Sequence, residues 1–290
     1  MPGIHCYPRP GIRFHCRMCA QQGFTLVEIM VALMLGLVVL IGVIQVFIST
    51  QQSARIQQAA SRMQEDGRIA LDILNHYIRL VGYSTFPWDK ALNISGAGAI
   101  WNPAMNQRGF PANAAWPLAG QVVRGGESDV NGADSIRIRY QGSGDGSITT
   151  CLGRVVGINE LTDITLSLTA DDPVDGRSLQ CTDNNTNTTQ PLVAGLQGIQ
   201  ILYGLSQGNG GIQANGRLTG VTAYVPADQV PADQWDRVIG VRIALLVRSD
   251  QDGLTLESQS IMFNDAPLPV TDRRMRYVMG TTVSVRNQMP

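Results

Sequence analysis

A single apolar run near the amino terminus limits what this chain can fold into. The 25 residues from Phe24 to Ile48 contain only two strongly polar side chains, Glu28 and Gln45. As an α-helix rising about 1.5 Å per residue, the run would extend roughly 37 Å, which exceeds the hydrocarbon thickness of a bilayer, about 30 Å. We therefore predict one membrane-spanning helix over residues 24–48.

Glu28 is the unusual residue in that helix. A carboxylate inside a spanning helix costs about 2.5 to 3.5 kcal/mol on insertion scales, so such a residue is treated as functional and is expected to have a partner. The sequence alone does not place a cation beside it.

The residues before the run predict the direction of export. Residues 1–23 contain Arg9, Arg13 and Arg17 and no acidic residue, and positive charge keeps a flanking segment cytoplasmic. The apolar run is longer than the core of a secretory signal, about 7 to 15 residues, and no small-residue cleavage site follows it. An ordinary signal peptidase site is therefore a poor fit.

The hexapeptide "GFTLVE", Gly23 to Glu28, followed by the apolar helix, resembles the processing site of type IV prepilins and pseudopilins. The resemblance implies that prepilin peptidase cleaves residues 1–23 away as a leader and that the new amino group of Phe24 is methylated. It also implies that Glu28 pairs with the terminal amine of a neighbouring subunit during assembly. A start at Met18 would leave a six-residue leader and the same cleavage site, and the alternative is a signal anchor with an incidental Glu28.

The helix is predicted to continue beyond the membrane as an amphipathic segment over residues 49–83. Gly67 predicts a kink or break, because glycine costs about 1 kcal/mol relative to alanine inside a helix. Apolar residues recur at helical spacing and predict one buried face: Ile56, Ala59, Ala60, Met63, Ala70, Ile73, Leu74, Tyr77, Ile78 and Val81.

Three longer segments resemble the PilW family of minor pilins. They are "MQEDGRIALDILNHYIRLVGY" (Met63 to Tyr83), "WDRVIGVRIALLVRS" (Trp235 to Ser249) and "RRMRYVMGTTVSVRN" (Arg273 to Asn287). Major pilins often carry a proline late in the apolar helix, where this chain has Gln45, so the resemblance favours a minor subunit. Minor pseudopilins of type II secretion share the amino-terminal motif and are the alternative.

Residues 84–134 lack periodicity and are predicted to form an irregular loop. Its aromatic residues either fill the domain core or contact a partner: Phe86, Trp88, Trp101, Phe110 and Trp116. Residues 135–290 are predicted to form a β-rich domain, because apolar residues alternate there with period two: at 136–140, 164–168, 199–203, 241–247 and 283–285. The predicted fold class is α+β, a long helix packed on an antiparallel sheet.

Cysteine usage agrees with export. Cys6, Cys16 and Cys19 lie in the leader, so Cys151 and Cys181 are the only two cysteines after residue 23. In an oxidising compartment we expect them to form a disulfide worth about 3 to 4 kcal/mol. The spacing in "CRMC" is typical of a zinc or redox pair, but it lacks further ligands and leaves with the leader, so we predict no metal site.

Catalysis is not predicted. Only His76 remains after the leader is removed, and no nucleophilic triad, phosphate loop, cofactor site or small-molecule substrate site is found. The acidic loop "SDQDG", Ser249 to Gly253, lacks calcium-ligand spacing and is interpreted as a turn. "DNNTNTT", Asp183 to Thr189, is interpreted as a solvated loop. Without the leader, the chain has 19 basic and 23 acidic residues. This negative net charge argues against nucleic acid as the main partner.

Two functions fit these observations. In the first, the protein is a minor pilin that helps to initiate or cap a type IV pilus, with other minor pilins and the major pilin as partners. In the second, it is an adhesin at the tip, using residues 84–134 and the loop from Cys151 to Cys181. Either way, the expected location is the inner membrane with a periplasmic domain, and then the surface pilus.

Overall fold

The computed structural model describes residues 23–84, 101–102, 107–108, 110–128, 132–143, 145–157, 160–172, 176–206, 220–263, 266–268 and 270–288. Helix α1 runs without interruption from Leu26 to Leu80. The chain divides into two compact units, Met1–Ser53 and Ala54–Pro290, and α1 contributes to both. The expected aromatic residues Phe86 and Trp88 lie outside the described residues.

The second half of α1 packs against the domain through one face, as predicted. Its buried residues follow the three- and four-residue spacing of a helix face: Ala59, Met63, Gly67, Ala70, Leu74 and Ile78. Leu74 and Ile78 are fully buried, and each such side chain stabilises the fold by about 1.5 to 3 kcal/mol relative to exposure. This contact anchors the helix to the sheet.

The break expected at Gly67 does not occur, because α1 continues through it. A Cβ atom built on Gly67 would collide with Sδ of Met279 and would lie 3.0 Å from Cγ2 of Val247. Glycine is therefore used here so that helix and sheet can approach closely. Its packing role overrides its low helix propensity.

The domain contains twelve described strands: β1 (Trp101–Asn102), β2 (Gln107–Arg108), β3 (Val123–Gly126), β4 (Ser135–Gln141), β5 (Leu161–Leu168), β6 (Arg177–Asp183), β7 (Thr188–Ser206), β8 (Val221–Val225), β9 (Val238–Arg248), β10 (Ile261–Phe263), β11 (Ala266–Leu268) and β12 (Arg276–Ser284). The main sheet has the order β12-β9-β7-β6-β5-β4-β3, with β8 also paired to β7. All its strand pairs are antiparallel. The predicted α+β fold class is confirmed.

The core lies between α1 and one face of the main sheet. Alternate residues of β4, β5, β7 and β9 contribute to it, in agreement with the period-two pattern of the sequence. Short 3₁₀ helices, Ala227–Gln229 and Trp235–Arg237, precede β9, and a third, Arg286–Gln288, follows β12. The sequence "PADQ" occurs twice here, from Pro226 to Gln229 and from Pro231 to Gln234, and both copies form tight turns that lead into a central strand.

Candidate functional site

The processing motif lies at the start of α1. Gly23 and Phe24 precede the helix, and Phe24 is 78% exposed. The backbone N–H of Glu28 donates a hydrogen bond of 3.3 Å to Oγ1 of Thr25, so Thr25 caps the first turn. The spacing Thr25-x-x-Glu28 is that of a capping box, a signal that our sequence interpretation of Glu28 did not use. A carboxylate in the first turn also interacts favourably with the helix dipole.

The apolar part of α1 has no cover within the described residues. Every residue from Gly23 to Arg55 is exposed, including the large side chains of Leu33, Leu37 and Phe47. Among the described residues, α1 is the one helix long and apolar enough to cross a membrane. So large an apolar surface requires lipid or other helices around it.

The described part of the irregular loop packs against strands β4 and β5 of the main sheet. Phe110 and Trp116 are 1% exposed. The Arg139 guanidinium lies 5.3 Å from the centre of the Phe110 ring and 4.8 Å from that of Trp116. It donates hydrogen bonds to the backbone carbonyls of Phe110, Pro111 and Gln121. Burial lowers the pKa of Arg139 to about 10, so the side chain stays positively charged at neutral pH.

Asp163 on β5 completes this attachment. Its carboxylate accepts two hydrogen bonds from Arg137, at 2.7 and 2.8 Å, and one of 2.8 Å from Nε1 of Trp116. The amide nitrogen of Asn184 donates a fourth, at 2.9 Å. One carboxylate therefore joins β4, the loop and the β6–β7 turn, so residues 110–122 form a packed cover over the sheet. Sequence analysis did not single out Asp163, because one aspartate in an apolar strand carries no local pattern.

The structure brings Cys151 and Cys181 together in a disulfide, with Cα atoms 6.2 Å apart. Cys181 lies fully buried in β6, whereas Cys151 is partly buried in a turn. The bond attaches the connection between β4 and β5 to the middle of the sheet. Both cysteines lie in the domain, so we expect the disulfide to stabilise the domain and to leave the apolar helix unaffected.

The remaining sequence candidates are structural. Asp252 accepts hydrogen bonds from the backbone N–H groups of Gly253 and Arg273, which makes "SDQDG" a turn. "DNNTNTT", interpreted as a solvated loop, contains the exposed turn that joins β6 to β7, where Asn187 has a φ of 54°. His76 is exposed beside Tyr77. Within the described ranges, no group of three metal-ligating side chains occurs.

Two family models match parts of the chain. The family model described as type IV pilus-assembly protein W matches residues 168–287. The model described as the prokaryotic N-terminal methylation motif matches residues 18–44. No curated protein matches the chain. Among solved structures, a type IV-like pilin from Thermus thermophilus is similar at 12% identity and a TM-score of 0.40, over 78% of this chain and 98% of that chain.

The two family matches cover the processing motif, the start of α1 and the sheet from the end of β5 to β12. Proteins of the PilW family are structural, non-catalytic components of the pilus, which confirms the prediction that this chain is not an enzyme. Type IV pilin families assemble with other pilins and are processed by prepilin peptidase. Together the two matches support a type IV pilus minor pilin of the PilW family.

Proposed function

We propose that this minor pilin takes part in initiating the assembly of a type IV pilus, with its domain in the periplasm before assembly and on the pilus afterwards. The observation that carries the proposal is the uncovered apolar helix directly after the methylation motif. In the membrane, lipid covers this surface. In a filament, the apolar helices of the other minor pilins and of the major pilin replace the lipid.

Glu28 has a defined part in this proposal. Moving an apolar side chain from lipid into a bundle of helices changes its free energy little, because both surroundings are apolar. Packing and polar contacts must therefore make the association specific. Glu28 next to the methylated amine of a neighbouring Phe24 forms an ion pair in a medium of low dielectric constant, where such a pair offsets much of the desolvation cost. Glu28 therefore directs the helix into the filament.

The adhesin alternative receives less support. The described part of the loop directs Phe110 and Trp116 onto the sheet, where Arg139 and Asp163 hold them. Aromatic residues that are packed in this way do not present a binding surface. Assembly is therefore the function that the structure supports best.

The test compares Glu28→Ala with Thr25→Ala in the full chain. Glu28→Ala is expected to insert into the membrane normally. Its amount in sheared pili should be at least tenfold lower than that of wild type. Thr25→Ala removes the cap hydrogen bond but keeps the charge, so it should be incorporated almost normally. Equal incorporation of Glu28→Ala and wild type contradicts the assigned role of Glu28.

An intact-mass measurement tests the processing step in the same strains. With prepilin peptidase present, the mature chain should begin at methylated Phe24, and without the peptidase the leader should stay attached. A leader that stays attached in both strains, together with normal piliation when the gene is deleted, would overturn the proposed function.

A further inference from the structure

The last strand, β12, forms one edge of the main sheet. It pairs with β9 over nine residues, from Arg276 opposite Arg248 to Ser284 opposite Gly240, without a register shift. Among the described residues, no strand pairs with its other side. The edge therefore offers a regular row of backbone groups along nine residues.

The hydrogen bonds at its two ends show which groups face outward. Ser249 N–H donates to the carbonyl of Met275, and Val285 N–H donates to the carbonyl of Ile239, each at 2.9 Å. Both bonds fall in the β9–β12 register, so the odd-numbered residues of β12 bond to β9. The N–H and C=O groups of the even-numbered residues point away from the sheet: Arg276, Val278, Gly280, Thr282 and Ser284.

This edge lacks the usual protection against strand pairing. Sheet edges in natural proteins are blocked by charged side chains, proline, bulges or short length. The opposite edge, β3, has four residues with Arg124 and two glycines. In contrast, β12 has no charge or proline from Tyr277 to Ser284, and Val278 is 39% exposed. The contact of Met279 with Gly67 of α1 holds the strand in place.

Charges beyond the two ends define the partner. Arg273 is exposed before the strand and Arg286 is exposed after it, and no acidic residue occurs in 273–290. The guanidinium of Arg276 donates hydrogen bonds of 2.6 and 2.8 Å to the Asp272 carboxylate, so its charge is already paired within the domain. The complementary segment has an uncharged, β-forming middle and carboxylates beyond its ends.

A second copy of this chain does not fit the edge. In an antiparallel β12–β12 pair centred on Gly280, the exposed Arg273 of one copy would lie within one position of the exposed Arg286 of the other. In a parallel, in-register pair, each arginine would lie beside its own counterpart. Like charges opposite one another destabilise strand pairs, so the arginines select against self-pairing.

We propose that the outer edge of β12 receives an extended strand from another, different pilin subunit, which continues the sheet across the subunit boundary. This inference rests on the proposed function, because it requires neighbouring pilins. Main-chain hydrogen bonds provide the affinity, as in other cases of strand addition, and the flanking arginines select an acidic partner.

Proline substitution tests the edge with a matched control. Thr282→Pro removes an N–H that the domain does not use, and proline is tolerated on edge strands, so the full chain in detergent should melt close to the wild-type temperature. Its incorporation into sheared pili should fall at least tenfold, whereas Thr282→Ala should be incorporated normally. Equal incorporation of the two variants overturns the proposal.

A photo-crosslinking residue at Thr282 of the full chain, in piliated cells, identifies the occupant without relying on the proline variant. The expected adduct lies on an extended, acid-flanked segment of another pilin. An adduct on β12 of a second copy, or the absence of an adduct in pili that contain the chain, contradicts the proposal. If wild type enters pili, Glu28→Ala does not and Thr282→Pro does, the edge proposal fails while the assembly function stands.

Discussion

At the residue scale, Asp134 is a buried carboxylate that connects two parts of the sheet. It is 2% exposed, and its Oδ2 accepts a hydrogen bond of 2.8 Å from the N–H of Ile201 on β7. Its own N–H donates to the carbonyl of Ile199 at 3.1 Å. Burial, with smaller contributions from the charges of Glu127 and Asp228, raises the pKa of Asp134 to about 6, although the hydrogen bond from Ile201 acts to lower it.

This pKa predicts how stability depends on pH. Between about pH 4 and pH 6 the folded chain binds more protons than the unfolded chain, so the free energy of unfolding falls as the pH rises through that window. Asp134→Asn keeps an acceptor for Ile201 and removes the charge. We expect it to raise the free energy of unfolding at pH 7 by about 1 to 2 kcal/mol, after allowance for solvent screening.

Urea unfolding of the full chain in detergent at pH 4.5 and pH 7.5 measures this effect. Asp233→Asn, at an exposed position, is the control and should match wild type at both pH values. If Asp134→Asn and wild type show the same pH dependence, Asp134 is not the titrating group. Sequence analysis did not single out Asp134, because an aspartate before a strand has many ordinary uses.

At the element scale, the sequence predicts an element well where one physical pattern dominates. Strands β4, β5, β7, β9 and β12 contain alternating apolar residues, and all five were predicted. Strand β6 was missed because Arg177 and Asp183 share its buried face with Leu179 and Cys181, so the apolar alternation is short. Asp183 is accommodated there by an ion pair with Arg154 at 3.1 Å, which depends on tertiary structure.

The contact between α1 and the sheet leads to a prediction at this scale. Gly67→Leu should improve helix propensity by up to about 1 kcal/mol but force a side chain into Met279 and Val247. Because overpacking costs about 1 to 3 kcal/mol, we expect a net loss of stability. In the double variant Gly67→Leu/Met279→Ala the new side chain has room, so the combined loss should be smaller than the sum of the single losses.

Chemical unfolding of the two single variants and the double variant provides the test. A coupling energy above about 0.5 kcal/mol indicates direct contact between the two positions. Strictly additive losses would mean that Gly67 does not mediate the close approach. The prediction of a break at Gly67, made from helix propensity alone, was wrong. The residue that explains the glycine, Met279, lies more than 200 positions away in the chain, so local sequence does not reveal it.

At the scale of the whole molecule, the apolar half of α1 and the domain depend on different environments. The helix requires lipid or neighbouring helices, whereas the domain contains a disulfide between residues 30 positions apart. A crosslink that closes a loop of this length reduces the entropy of the unfolded chain and is worth about 3 to 4 kcal/mol. The domain should therefore reach full stability only in an oxidising compartment.

The double variant Cys151→Ala/Cys181→Ala should lose about 3 to 4 kcal/mol of domain stability, because the unfolded chain regains the entropy of the open loop. Membrane insertion and cleavage after Gly23 should not change, since the motif and the apolar helix lie outside the closed loop. Thermal unfolding with and without dithiothreitol checks the cause. The reductant should lower the melting temperature of wild type towards that of the double variant and leave the double variant unaffected. If wild type does not respond, the disulfide does not supply this stability. A defect in cleavage would show instead that processing depends on a folded domain.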